Sequence, residues 1–309
     1  MTSALRRLFV TGGSGFVGRH VRAACSEHGP LAGWKFSTPA SGWDIRDEDA
    51  VTRAVEQARP DAVLHLAAQS FVPRSFQAPK ETFEINLLGT LNLLRGLSAT
   101  GFAGRMIFVS SGDVFGRVPD EALPVTESYV AQPRSPYAVS KVAAEELCLQ
   151  WQRTEGLDVM IARPFNHVGP GQDARFVLPA LAKQVVAIEQ GQREPVIEAG
   201  DIDATRDFTD VRDVVAAYAA MFARGASGRT YLIGSGQERR VRDLLEDMCR
   251  LAQVEVEIRQ DPSKMRPAEQ RRMVADASAL RRDTEWKPAI PMNTTLLDIL
   301  EDARVQHEQ

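Results

Sequence analysis

The chain has 309 residues, 44% of them hydrophobic and 25% charged, the balance of an ordinary globular protein with room for a large core and two lobes. Thirty-seven basic against 41 acidic residues leave a net charge of −4, which excludes a global field drawing the protein to nucleic acid or anionic lipid. Cys25, Cys148 and Cys249 are scattered without a CxxC spacing, so they read as reduced thiols rather than disulfides or a metal centre.

A strand is expected at Leu8–Val10, which leaves no room before it for the apolar region of a signal peptide. No run approaches the ~18 uncharged apolar residues of a membrane span, and a cytoplasmic protein is expected. Further strands buried on both faces are predicted at Ala62–Leu66, Met106–Val109 and Val159–Ala162. Between them, Gly15–Glu27, Glu48–Ala58, Phe83–Leu97 and Tyr137–Arg153 read as helices. This alternation predicts an α/β fold, a Rossmann-type doubly wound parallel sheet with right-handed crossovers. After Pro164 the rhythm changes to a helix at Phe176–Gln190, a strand at Tyr231–Ile233, a helix at Val241–Ala252 and a strand at Val254–Ile258. A Pro- and Arg-rich stretch, Asp261–Arg272, precedes a final helix at Thr294–Gln306. The expected division is a dinucleotide-binding lobe of residues 1–165 and 206–231, capped at its carboxyl edge by a smaller lobe of 166–205 and 232–309.

Gly12, Gly15 and Gly18 stand three apart in TGGSGFVG, directly after the first strand and opening a helix. Gly13, Gly15 and Gly18 also satisfy GxGxxG. Glycine allows the tight turn and lets backbone N–H groups approach a pyrophosphate at the helix N-terminus. The competing reading is a Gly-rich turn with no ligand. An NAD site usually carries an acidic residue about 20 positions on. Here the second strand, near Trp34–Phe36, ends in Ser37-Thr38 without a carboxylate. A hydroxyl there can accept a 2′-phosphate that a carboxylate would repel, so NADP(H) is favoured over NAD(H). Lys35 and Arg46 do not supply an evident clamp. Asp44 and Ile45 are candidates for an adenine contact, and Asp47 for a helix N-cap.

Tyr137 and Lys141 are four apart and share a helix face. A phenol of pKa near 10 is a poor acid at neutral pH, and an ammonium one turn along lowers that value while also reaching a ribose. Ser110-Ser111 ends a strand at the sheet edge where ligands bind, and a hydroxyl there can hydrogen-bond a substrate carbonyl. Tyr137 alone reads as an ordinary helix residue. With Ser111, Lys141 and the glycine turn it reads as the acid of a redox enzyme.

With these motifs the chain resembles the extended short-chain dehydrogenase/reductase family that acts on nucleotide-diphosphate sugars. TGGSGFVG, His65-Leu-Ala-Ala68, Asn86-Leu-Leu-Gly89, SSGDVFG, YAVSK and Arg163-Pro-Phe-Asn166 occur in family order over nearly the whole length. The resemblance implies catalysis by Ser111, Tyr137 and Lys141. It implies that Gly12, Gly15, Gly18 and Ala67 line the cofactor, and with the residue-level candidates Ser37, Asp44 and Ile45 the expected cofactor lining also takes in Phe16, Val17, Leu66, Ala68 and Asn86. Asn166 and Arg206 match positions that hold the sugar or diphosphate, Ser111 and Gly112 are expected beside the substrate, Asp113 reads either as orienting the sugar or as capping the loop after the strand, and a homodimer is implied through the Phe83–Leu97 and Tyr137–Arg153 helices. The family's 4,6-dehydratases carry Thr-Asp-Glu where this chain has Ser111-Gly112-Asp113. Elimination needs an acid and a base there, and Gly112 cannot be the first. SSGDVFG, ARPFNHVGPGQ and GDIDATRDFTDV are most similar to the branch reducing the C4 keto group of GDP-4-keto-6-deoxymannose to GDP-D-rhamnose. In that branch the segment with Arg266, Pro267 and Glu269 holds the nucleotide, and a carboxylate pairs with guanine's adjacent N1–H and N2–H₂ donors. Without the resemblance, Arg266 and Glu269 read as a solvated turn.

Two other readings remain open at this point. A C4 epimerase would retain its NAD through a cycle, although epimerases often show small apolar residues at the place of Asp113. A dinucleotide-sensing regulator on the same fold has no need of Ser111, Tyr137 and Lys141 together. Asp207, Asp210 and Asp213 are better explained by helix-start capping than by a metal. The five histidines show no ligand-spaced pair, and His167 reads equally as a packing residue or a substrate neighbour.

Overall fold

The computed structural model describes residues 5–261 and 270–307. Six strands form one parallel sheet: β1 (Arg6–Thr11), β2 (Trp34–Ser37), β3 (Ala62–His65), β4 (Arg105–Val109), β5 (Asp158–Pro164) and, much later in the chain, β9 (Thr230–Ile233). Their order is β2-β1-β3-β4-β5-β9. The chain leaves β1 on one side to form β2 and returns on the other to form β3. The crevice between the carboxyl ends of β1 and β3 is therefore the switch point at which open α/β sheets take ligands. Burial on both faces explains the aliphatic runs, since all four residues of β3 and the last four of β1 are buried. One core under the sheet gathers Leu8, Leu64, Ile107, Val214, Tyr218 and Tyr231, and the opposite face packs Phe9, Val63, Leu93, Leu97, Phe108 and Cys148.

The remaining strands are short: β6 (Asn166–Val168), β7 (Val196–Ala199), β8 (Thr205–Asp210), β10 (Glu238–Arg240) and β11 (Glu257–Gln260). They form a three-stranded sheet of order β10-β8-β6 and a two-stranded sheet β11-β7. A separate core unites Leu181, Val185, Ile197, Leu245, Met248, Leu296 and Leu300 from the helices Val177–Glu189, Val241–Leu251 and Met292–His307. The segment around helix Ser278–Thr284 returns to the main sheet, where Ala277, Leu280 and Trp286 enter the core beneath it.

Several boundaries differ from expectation for local reasons. The first helix is Phe16–Ala24 and stops short of Glu27, because Cys25 N–H folds back to Arg22 O and Leu31 N–H to Ala24 O. The helix expected at Phe83–Leu97 is three pieces, Pro79–Phe83, a π turn at Glu84–Leu88 and Gly89–Ala99. The strand expected at Val254–Ile258 forms at Glu257–Gln260, where β7 lies opposite, whereas Val254 and Val256 pack against the second core. The helix Pro136–Glu155 closes on Gly156 at φ 72°, a left-handed cap that suits glycine.

Candidate active site at the switch point

β1 ends at Thr11, and Gly12 follows at φ 72°. A Cβ on Gly12 would lie 2.9 Å from Ala67 N, and one on Gly18 would lie 2.6 Å from Gly12 O and the Gly13 backbone. Backbone therefore lies on backbone, and the turn has no space for side chains. Gly15 N–H donates to Gly12 O at 3.0 Å, and the helix Phe16–Ala24 starts with neither a side-chain cap nor an acidic residue in its first turn. Its leading N–H groups and positive end suit a pyrophosphate. The side chains of Phe16 and Val17 turn elsewhere, the Phe16 ring stacking on His167 with centroids 6.1 Å apart and Val17 packing against the core. Gly18→Ala is expected to lower thermal stability, since overpacking costs about 1–3 kcal/mol, and to weaken NADPH binding at least tenfold, about 1.4 kcal/mol. Calorimetric titration and a melting curve check both, and wild-type affinity would show that the turn is not the pyrophosphate seat.

Beyond the turn, Leu66 N–H donates to Thr11 O at 3.1 Å and Ala67 N–H to Thr11 Oγ1 at 3.2 Å, which brings Leu66, Ala67 and Ala68 to the crevice floor. Ser37 Oγ donates to Leu8 O at 3.2 Å, so this hydroxyl presents lone pairs outward and no proton. Arg22 stacks its guanidinium 4.6 Å over the ring of Phe36, one residue before Ser37, a cation that the sequence reading overlooked. Asp44 is taken by Arg46, whose Nη2 and Nε donate to it at 2.6 and 3.0 Å and hold its carboxyl below the usual range. The Ile45 side chain is buried, for a Cβ on Gly89 would lie 2.7 Å from its Cγ2, so the backbone is what this residue offers to the crevice. Asn86 is likewise buried: its Oδ1 accepts from Gln69 N–H at 2.8 Å, and its Nδ2 donates to Gln69 O at 3.1 Å and to Ser140 Oγ at 2.9 Å. It fastens the loop after β3 to the next helix and presents no free amide to the crevice.

Ser111 follows β4 in an extended conformation and caps the 3₁₀ turn Gly112–Phe115, its Oγ accepting from Asp113 N–H at 3.1 Å. Tyr137 is second in the helix Pro136–Glu155, whose start is fixed by Pro136 and by Ser135 Oγ accepting from Ala138 N–H at 3.1 Å. Tyr137 is 7% exposed, and Ser111 lies close enough to influence its phenol. Burial pushes the phenol pKa above the ordinary value, the charge of Asp113 adds to this, and the Ser111 hydroxyl opposes it. The expectation of a depressed phenol pKa is thus corrected. The Lys141 ammonium is turned to Val109 O at 2.8 Å and lies 4.9 Å from the Phe108 ring centroid. Burial lowers Lys141 to about 8, while the carboxylate of Glu145 works against that shift. Glu145 is itself clamped by Arg163 through bonds of 2.9 and 2.6 Å, with both side chains largely buried.

Gly112 is buried against Phe165, and a Cβ there would lie 3.2 Å from the Phe165 ring. Asp113 is exposed beside it. Asn166 opens β6 and is exposed, and Arg206 stands on the adjacent β8 with Nη1 donating to Thr205 O at 2.8 Å and Arg271 O at 3.2 Å. In register opposite Arg206 is Arg239, a second cation that the sequence reading did not single out. Arg266 and Glu269 lie outside the described residues.

The acidic trio serves the backbone. Asp207 accepts from Ser235, Gly236 and Ala275 N–H groups, Asp210 caps helix Val211–Arg224, and Asp213 accepts from Ala289 and Ile290. His167 directs Nδ1 to Phe165 O at 3.1 Å. A cavity of 560 Å³ lined by Arg7, Glu56, Arg59 and Phe102 opens among residues flanking the amino ends of the strands, away from these motifs.

The family model of GDP-mannose 4,6 dehydratase matches residues 39–299. The GDP-6-deoxy-D-mannose reductase of Pseudomonas aeruginosa is 48% identical over 306 residues, covering 98% of this chain and 99% of its own. The structure of RMD from Pseudomonas aeruginosa complexed with NADPH superposes with a TM-score of 0.92 at 47% identity, covering 97% of this chain and 99% of that one. The UDP-glucose 4-epimerase of Thermus thermophilus in complex with NAD superposes at 0.85 with 28% identity, covering 96% and 99%. The glycine cradle at the switch point and the Ser111, Tyr137 and Lys141 cluster beside it thus stand in a chain that belongs to the GDP-mannose 4,6-dehydratase family of extended short-chain dehydrogenase/reductases.

Proposed function

We propose that the protein is an NADPH-dependent reductase that converts the C4 carbonyl of GDP-4-dehydro-6-deoxy-D-mannose to the alcohol of GDP-D-rhamnose. The observation that carries this reading is the placement of Ser111, Tyr137 and Lys141 on the sheet edge next to the glycine cradle, in a chain nearly half identical to a GDP-6-deoxy-D-mannose reductase. The bound cofactor supplies hydride to the carbonyl carbon. Tyr137, kept protonated by burial, gives its proton to the carbonyl oxygen, and Ser111 Oγ stabilises the charge that develops there. Lys141 provides a buried ammonium for the nicotinamide ribose and for the phenolate left after transfer. Gly12, Gly15 and Gly18 hold the pyrophosphate, with Ser37 and Asp44 at the adenosine end. Asn166 orients the sugar, and Arg206 with Arg239 faces the diphosphate.

Dehydration is disfavoured because Gly112 offers no acid and Phe165 fills the adjoining space. A homodimer is part of the proposal, since Leu88 at 49% and Val139 at 40% exposure stand on the two helical segments through which the family pairs. So are a division into a cofactor lobe and a sugar lobe and a cytoplasmic location. The three cysteines are free, and no described helix is long and apolar enough to cross a membrane.

The test is a panel of GDP-, UDP- and dTDP-linked 4-keto sugars made in situ, with NADPH oxidation followed by absorbance and the product identified by NMR. The expected result is oxidation with the GDP sugar and an equivalent of GDP-D-rhamnose. Equal rates with the other nucleotides would remove the guanine assignment. No oxidation with any keto sugar would remove the reductase reading.

A further inference from the structure

A line of buried hydrogen bonds runs beneath the crevice, and donor and acceptor can be assigned at each link. Thr90 Oγ1 donates its one proton to Asn86 O at 2.6 Å, so towards His65 Nε2, 2.9 Å away, it can only accept. His65 Nε2 therefore carries a hydrogen. Burial, assisted by the nearby Lys141 charge, lowers His65 to about 3, so the ring is neutral and Nδ1 is a lone pair. Thr11 Oγ1, 2.7 Å from Nδ1, donates to it and accepts from Ala67 N–H at 3.2 Å. The line runs from Ala67 through Thr11, His65 and Thr90 to Asn86, with no group left in conflict.

Each end meets the proposed site. The Ala67 backbone presses against Gly12, where a Cβ would come within 2.9 Å of Ala67 N. At the far end Asn86 Nδ2 donates to Ser140 Oγ, and Ser140 donates to Tyr137 O at 2.7 Å from its place between Tyr137 and Lys141 on their helix. The ring also packs at a tilt against Phe108, with centroids 5.6 Å apart, so its plane is fixed as well as its tautomer.

We infer that His65, as the neutral Nε2-protonated tautomer, is a positioning residue that ties the dinucleotide turn to the helix carrying Tyr137 and Lys141. The inference rests on the reading of Tyr137 as the proton donor. It assigns His65 no part in proton transfer. Its effect is to fix where the nicotinamide end of the cofactor and the phenol stand relative to each other.

Thr90→Val keeps the size of the side chain and leaves Nε2–H facing a methyl group. It is expected to reduce kcat about 10- to 100-fold through misplacement of the helix, with KM for NADPH little changed. Thr90→Ser, which retains the hydroxyl, should restore most of the turnover. Thr11→Val breaks the other end of the same line, so the double variant should lose no more turnover than the worse single one. Losses that multiply, a wild-type kcat in Thr90→Val, or no recovery in Thr90→Ser would each overturn the inference. Nitrogen NMR of wild-type His65 tests it without any variant: a steady Nε2-protonated signal from about pH 6 to about pH 9 is expected. An Nδ1-protonated ring, or one that titrates in that range, would overturn it. Failure of Tyr137 as donor would appear separately, in the Tyr137→Phe enzyme, and would leave the His65 tautomer and the non-additivity unchanged.

Discussion

Tyr137→Phe is expected to bind NADPH with wild-type affinity and to lose turnover about 10²- to 10⁴-fold, the range for removal of a positioned acid. The ring is buried and the substitution preserves its packing, so the loss reports the hydroxyl rather than the fold. The same burial raises the phenol pKa, so the donor stays protonated through neutral pH and kcat should show no fall there that traces to Tyr137. Stopped-flow measurement of hydride transfer in wild type and variant separates this step from product release. A variant with near wild-type transfer would leave Tyr137 outside the mechanism and shift attention to Ser111.

Lys141→Met is expected to lose about 10²-fold or more in turnover, as a positioned group does, and to bind NADPH more weakly, yet to be at least as stable as wild type at neutral pH. The stability effect follows from proton linkage. Burial depresses Lys141 to about 8 from 10.5, so between those values the unfolded chain binds a proton that the folded chain does not. Stability gained from this group therefore rises as pH increases through that window, and below it the folded protein bears the cost of a buried ammonium. Methionine removes that cost, and with it the pH-dependent rise. Urea titrations at neutral and alkaline pH check the linkage. NADPH affinity of the wild type should fall as pH rises through about 8, and a flat profile would sever the cofactor from the ammonium.

The parts of this molecule that sequence reveals are those whose residues act through local pattern. β1, β3, β4 and β5 are buried on both faces, so their aliphatic runs announce them, and the four-residue spacing of Tyr137 and Lys141 survives translation into a helix. β6, β8 and β10 are three to six residues long and mostly polar or charged, so nothing in their periodicity separates them from loops. The pairing of Arg206 with Arg239 depends on that hidden register. The direction of the Tyr137 and Lys141 pKa shifts was equally inaccessible, because spacing reports which groups are neighbours while burial decides which charge is tolerated. Asn86 and Ile45, both expected to line the cofactor, are buried, and the hydrogen bonds and packing that hold their side chains are tertiary and invisible to spacing.

The π turn at Glu84–Leu88 has a consequence for how this chain tolerates insertions and deletions. Gly89 N–H reaches back five residues to Glu84 O, so the turn holds one residue more than an α-helix would. Deleting a single residue there would let the segments Pro79–Phe83 and Gly89–Ala99 join as one regular helix, an improvement by any local measure. It would also rotate everything before the join by about 100° relative to everything after it. Asn86 and Thr90 could then no longer face Gln69, Ser140 and His65 together. The shorter, smoother helix would therefore cost the site its alignment, and an irregularity that looks like a flaw in one element is the length standard for the site as a whole.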